Sequence, residues 1–298
     1  MRSSQPGVPG ALARYYQRAS PFMDFVALAI IWGSSVLVQK TLKPSPRLFM
    51  LDDKNIQHPL TSHERVTVQL SMIYAGLIPL IVIIAWAAVT RPSRYQIQVT
   101  LLGLFTSLML SSLLTDIIKN SVGRPRPDLL ARCLPQKGTP GDVWVSLAVC
   151  TQENKGMLQD GFRSFPSGHS SFSFSGLGYF SFFLAGQMRV FRPRADLCRC
   201  LLAFMPLFGA VLIGLSRLAD YRHDIYDVTT GSVLGLGVAY FTYRRFYPSL
   251  RSVTCDVTKE RDEDLSVSGF SKLPDDEEQQ IRDVEEYQLD ETSSSHGP

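Results

Sequence analysis

Residues 216–227 read SRLADYRHDIYD, with an apolar run on each side: LLAFMPLFGAVLIGL at 201–215 and VTTGSVLGLGVAYF at 228–241. Two arginines, a histidine and three aspartates therefore sit at the seam between two oily segments. The windows around those segments, 200–216 and 227–243, approach the roughly 20 apolar residues that a helix needs to cross about 30 Å of hydrocarbon. The pair reads as two membrane spans joined by a charged turn, and ionisable residues at such a depth are expensive enough to imply a function.

Four more windows have the same character: 22–40, 67–89, 97–118 and 170–188. LSMIYAGLIPLIVIIAWAAV, inside the second of these, is the clearest. The first carries Asp24, but no small-residue cleavage pattern follows Val38 and five more windows come after it, so it reads as an anchor and not a signal peptide. Pro79 and Pro206 are tolerable inside spans because neighbouring helices satisfy the backbone groups they free. The fold expected is all-α: a polytopic membrane protein of six transmembrane helices over residues 22–250.

Length and average composition would also fit a soluble protein: 298 residues, 45% hydrophobic, net charge +3. The distribution of charge excludes that. From Asp256 onward there are 14 acidic and 4 basic side chains, whereas residues 1–255 hold 26 basic and 13 acidic. Residues 251–298 have few large apolar side chains and no sustained period, the composition of a chain that cannot bury enough surface to fold. They are expected to form an acidic, disordered cytosolic tail, and residues 1–21 a cytosolic N-terminal segment. Arginines cluster before the first window and after the second, fourth and sixth, which places both termini in the cytosol. The five cysteines are too few for a disulfide scaffold and none has zinc-ligand spacing; Cys133 and Cys150 share one loop and can pair if that loop faces an oxidising lumen.

The remaining basic residues need another explanation. KNSVGRPRPD (119–128) leaves the third span, SFPSGHSSFSF (164–174) enters the fourth, and 216–227 joins the fifth to the sixth, so all three stretches meet one membrane face. Lys119, Arg124, Arg126 and Arg217 are four cations, three of them planar forks suited to tetrahedral oxyanions. The prolines of RPRP stiffen the backbone that carries Arg126. Ser167 and Gly168 fall where the fourth span begins, and free N–H groups and the dipole at a helix start favour an anion. His223 and Asp227 are four apart, on one face if helical, so that the carboxylate can orient the imidazole and offset the surrounding cations. A histidine so held can attack phosphorus, leaving His169 to act as general acid. Asp116 is expected to partner Lys119 three residues on. Arg222 reads as an interface anchor, and His58, His63 and His296 as structural residues. Asp220, His223, Asp224 and Asp227 could in principle ligate a metal, but Arg217 and Arg222 beside them would repel it, so none is expected.

These residues resemble the three signatures of the type 2 phosphatidic acid phosphatase (PAP2) superfamily, which includes the vanadium haloperoxidases. K-x6-R-P is Lys119 with Arg126 and Pro127; P-S-G-H is Pro166–His169; S-R-x5-H-x3-D is Ser216, Arg217, His223 and Asp227. More narrowly, HPLTSHERV and the stretches around the signatures look like fungal diacylglycerol pyrophosphate phosphatases of the vacuolar membrane, a likeness covering roughly residues 20–250. The resemblance implies a PAP2/haloperoxidase-type helical core and a phosphohistidine on His223. Asp227 would polarise His223, and His169 would protonate the leaving group and then activate water. Lys119, Arg126, Ser167, Gly168 and Arg217 would hold the phosphoryl oxygens; Arg124 and Asp116 are expected in support from their own positions, beside Arg126 and Lys119, and not from the resemblance. It implies no metal and no cofactor, and as partner a membrane lipid, diacylglycerol pyrophosphate or phosphatidic acid, with no nucleic acid. It carries no expectation about oligomeric state. A lipid phosphotransferase and a non-catalytic transport or lipid-binding relative are the alternatives; loss of His169 or His223 would favour the second, and both are present.

Overall fold

Helix caps and apolar runs together determine where the elements begin and end. The structure, a computed structural model, describes residues 22–192 and 195–259. In chain order the helices are α1 Phe22–Thr41, α2 Val68–Thr90, α3 Arg94–Val122, α4 Leu129–Cys133, α5 Lys155–Asp160, α6 Gly168–Gln187, α7 Leu197–Ala219 and α8 Ile225–Phe246. Thr67, Ser93, Ser167 and Asp196 cap α2, α3, α6 and α7 by accepting a backbone N–H into the side-chain oxygen. The third helix ends at Gly123, whose φ of 60° lies in the left-handed region that glycine occupies without penalty. A Cβ there would also meet the carbonyl of Ser45. Among the described residues there is no β-strand, only isolated bridges pairing Phe49 with Val145 and Pro135 with Cys150.

Six long helices coincide with the six apolar windows, but only α1, α2, α3 and α7 are long and apolar enough to cross a membrane by length and composition. The expectation of six spans therefore stands at four on this criterion. The physical reason lies in packing. Helix α6 carries its serines inward, where lipid does not see them, and α8 buries Gly231, Gly235 and Thr242. Ser170, Ser171, Ser173, Ser175 and Ser181 of α6 are all buried. From α3, Ser107 and Ser111 donate to the carbonyls of Ser175 and Ser171 at 3.0 and 3.1 Å, and Thr115 donates to the Ser171 hydroxyl at 2.8 Å. Small residues and interhelical hydrogen bonds are what hold helices together where both lipid and side chain are apolar.

The α6–α8 contact depends on absent side chains. A Cβ at Gly231 of α8 would lie 2.6 Å from the carbonyl oxygen of Ser167, and one at Gly235 would lie 2.3 Å from that of Ser171. On the other side of α6, Ala75 of α2 brings its carbonyl against Gly176. Pro79, four residues after Ala75, has no N–H to offer that carbonyl, and α2 loosens into a π-turn over Ile73–Leu77.

At the end where α3 leaves, α6 enters and α7 turns into α8, the connecting chain folds into a cap. Its core is Phe49, Ile56, Leu129, Cys133, Val145, Leu158 and Phe162. A disulfide joins Cys133 to Cys150 across a sequence separation of 17 residues.

At the opposite end, the chain after α8 corrects the expected boundary of the tail. Residues 251–259 fold back onto the bundle, with Cys255 and Thr258 buried. The Asp256 carbonyl accepts from Gln96 at 2.9 Å and from Gln187 at 2.8 Å, and its carboxylate pairs with Arg189 at 2.8 Å. Polar partners at the start of α3 and the end of α6 capture a stretch that composition alone assigns to solvent. The rest of the tail and residues 1–21, like His296, lie outside the described residues.

Candidate active site

The caps of α6 and α8, the last turns of α3 and α7 and the loops around them converge on a cavity of about 520 Å³. Its polar wall includes Lys119, Arg126, Gly168, His169, Arg217 and His223. Its other wall is apolar: Trp32 and Val36 from α1, Val68 and Met72 from α2, Met109 from α3 and Phe172 from α6. A volume of this order suits a ligand of drug size or a lipid headgroup with the start of its chains.

Ser167 caps α6 and takes its own N–H to the Asp227 carbonyl at 2.9 Å, tying the start of α6 to α8. Its hydroxyl satisfies the amide of Ser170, which leaves the amides of Gly168 and His169 aimed forward as at any helix start. Where a Cβ would stand on Gly168, the nearest atom is the Lys119 ammonium nitrogen at 3.5 Å. Among the described residues the Lys119 ammonium has no hydrogen bond or ion pair, although the residue is only 8% exposed. His169 Nε2 is likewise buried without a partner.

His223 and Asp227 meet, though not as stacked residues of one helix. His223 lies in the turn before α8, and Asp227 is the third helical residue, folded back in a capping box to accept the Asp224 N–H at 3.1 Å. The carboxylate also accepts from Ser164 at 2.5 Å and from Arg124 at 2.8 Å, and its Oδ2 stands 3.6 Å from His223 Nδ1. The other ring nitrogen, Nε2, is 3.4 Å from Arg126 Nη1. Burial, and next to it the Arg126 guanidinium, push the His223 imidazole well below the ordinary histidine range, against the opposing pull of Asp227.

The cations divide into two groups. Arg126 is braced by Asp160, through Nε to its carbonyl at 2.8 Å and Nη2 to its carboxylate at 2.9 Å. Arg217, 1% exposed, spends its fork on Glu64 at 2.8 Å, Asp220 at 3.0 Å and the Ser216 hydroxyl at 3.0 Å. Arg124 turns away from the cavity, and its guanidinium bridges Asp224 and Asp227. It neutralises the carboxylate that faces His223, which is a different place from the oxyanion fork that its position in RPRP suggests. Asp116 does not pair with Lys119; it accepts from Gln39 at 2.9 Å and faces Arg163 at 3.7 Å, while Lys119 projects into the cavity. Arg222, expected at a membrane interface, is bonded to Glu64 and lines the cavity.

Sequence patterns missed Glu64, Asp160 and Ser164. Ser164 opens the stretch SFPSGH and lay within reach of the motif. Glu64, in a loop, and Asp160, at the end of α5, are single carboxylates with no spacing signal, but buried cations require counter-charges, and these two supply them.

Four helices long and apolar enough to cross a bilayer, packed with others around small polar residues, mark an integral membrane protein with a cluster of cations and histidines at one end of its bundle. Residues 100–251 match the model of the PAP2 superfamily. The "Probable diacylglycerol pyrophosphate phosphatase 1" of Schizosaccharomyces pombe is 38% identical over 79% of this chain and 85% of its own. The "Diacylglycerol pyrophosphate phosphatase 1" of Saccharomyces cerevisiae is 43% identical over 70% of this chain and 73% of its own. The "Lipid phosphate phosphatase 2" of Arabidopsis thaliana is 42% identical over 53% of this chain and 54% of its own. This chain belongs to the PAP2 superfamily, and it is a lipid phosphatase, a hydrolase.

Proposed function

We propose that the chain hydrolyses diacylglycerol pyrophosphate to phosphatidic acid, and phosphatidic acid to diacylglycerol, through a phosphohistidine. The observation that carries this reading is the orientation of His223. Its Nδ1 faces the Asp227 carboxylate and its Nε2 faces Arg126 at the cavity wall. In the first step Nε2 attacks phosphorus, the bond from phosphorus to the leaving oxygen breaks, and His169 gives that oxygen a proton. In the second, His169 takes a proton from water, the water oxygen attacks phosphorus, and the N–P bond breaks to release inorganic phosphate. Lys119, Arg126, the amides at the start of α6 and Arg217 meet the charge on the phosphoryl oxygens. The 3.6 Å gap between His223 and Asp227 closes to hydrogen-bond length with substrate in place, as catalytic contacts commonly do. Three protein cations, Lys119, Arg126 and Arg217, supply the electrostatics that a metal would otherwise provide, so turnover is expected without one.

Six helices cross the bilayer in this reading, with both termini cytosolic and the site on a lumenal face such as that of the vacuole. The disulfide in the cap supports that side, since disulfides persist in oxidising compartments. Purified protein given phosphatidic acid in excess chelator is expected to release phosphate, and His223→Ala to abolish release by at least ~1,000-fold, as loss of a nucleophile does. No phosphate from the wild type, or an unchanged rate in the variant, overturns the proposal.

A further inference from the structure

We propose that Glu64 is a specificity-determining residue: a displaceable carboxylate that occupies the anion subsite of Arg217 and Arg222 and sets the charge a lipid headgroup must carry to enter. The inference rests on the phosphatase reading and extends it to headgroup selection.

Arg217 has two carboxylate partners, and they differ in kind. Asp220 is fully buried and fixed, accepting the Arg65 N–H at 3.0 Å as well as the Arg217 fork. Glu64 is 24% exposed, lines the cavity, and bonds one oxygen to Arg217 and the other to Arg222. Among the described residues it is therefore the one acidic partner of Arg217 that faces the incoming ligand. The loop carrying it is pinned on both sides to a single point, through Thr61 to the Asp220 carbonyl at 2.9 Å and through Arg65 to the Asp220 carboxylate. The backbone is held at Asp220 while the Glu64 side chain is held only by the two guanidiniums that a ligand anion would also engage, the arrangement a replaceable anion requires.

Charge matching then gives the selection rule. Five cationic and three acidic side chains line the cavity, a formal net of +2 with the histidines neutral. With Glu64 displaced the lining is one charge more positive, and a phosphomonoester dianion offsets it more fully than a phosphodiester headgroup, which brings a single negative charge. Displacing a carboxylate bonded to two guanidiniums favours the dianion, so the abundant diesters of a bilayer compete poorly for Arg217 and Arg222.

The test compares wild type, Glu64→Gln and Glu64→Asp as purified full-length protein in detergent. Three quantities are read: the inorganic phosphate concentration that half-saturates a shift in thermal midpoint, KM for phosphatidic acid, and inhibition by phosphatidylglycerol. In Glu64→Gln the half-saturating phosphate concentration is expected to fall about ten-fold, the scale of one charge-assisted hydrogen bond. Inhibition by phosphatidylglycerol should tighten more than KM falls, narrowing selectivity. Wild-type values for both, or a lower kcat with neither moved, would show a merely structural role and overturn the proposal. Should Glu64→Gln fail to fold, Glu64→Asp, which keeps the charge on an arm too short to bridge both arginines, is expected to give intermediate values, and wild-type values there overturn it. A wild type that binds phosphate but releases none from phosphatidic acid sinks the phosphatase reading, while the thermal shifts still report on Glu64.

Discussion

The proton affinity of one imidazole sets the working range of this site. His223 is 4% exposed and beside Arg126, and both conditions disfavour its charged form. It is therefore expected to stay neutral, and able to attack, well below the pH at which an exposed histidine would protonate. Asp227→Asn removes the group that opposes this depression. The sign follows: the affinity falls further, the acid limb of the kcat/KM profile moves to lower pH, and the rate drops at least ~100-fold because a less basic and less oriented nucleophile remains. A profile whose acid limb moves upward would contradict this electrostatic picture. Much of the site could be read from the sequence, because Lys119, Arg126, His169, Arg217 and His223 are held at fixed chain spacings by helix ends. The neutralising set, Glu64, Asp160 and Arg124, could not be assigned from spacing, since each ion pair is closed by tertiary contact between segments distant in the chain.

Helix α6 presents serine and glycine to α3 and α8, and its position determines where the amides proposed to bind phosphate lie relative to His223. Gly235→Leu places a branched side chain where even a Cβ would be 2.3 Å from the Ser171 carbonyl. The helices must part, with an expected cost of about 1–3 kcal/mol in stability and a loss of activity that outruns it, since cradle and nucleophile sit on opposite sides of the contact. Thermal unfolding and phosphate release, measured on the same preparation, check both. The six long helices were legible to within a few residues at their ends, because each carries an apolar window; the caps Ser93 and Asp224, which set the starts of α3 and α8, were not read. Two further features were not legible. The low hydropathy of α6 makes sense only once α3, α7 and α8 surround it, and the docking of Asp256 depends on Gln96 and Gln187, which no local pattern connects to it.

Taken whole, the molecule has two regimes of stability. Within the bundle, helix contacts rely on close packing and hydrogen bonds; in the cap, water is present, and burying a side chain such as Phe162 or Leu129 contributes about 1.5–3 kcal/mol each. The disulfide belongs to the second regime. Replacing Cys133 and Cys150 together by serine is expected to cost about 3 kcal/mol, the loop-closure value for a ring of this size. The loss should appear as a lower unfolding midpoint with helix content largely kept, and as reduced activity, because Arg126 and Asp160 are anchored in the cap. The cavity wall of Trp32, Val36, Val68 and Met72 has a consequence of another sort. A ligand that keeps its acyl chains against that wall never leaves the bilayer to be recognised, so encounter takes place in two dimensions. The variable governing turnover is then the mole fraction of substrate among the surrounding lipids, and diluting the membrane with inert lipid slows the enzyme even when the number of substrate molecules per litre is unchanged.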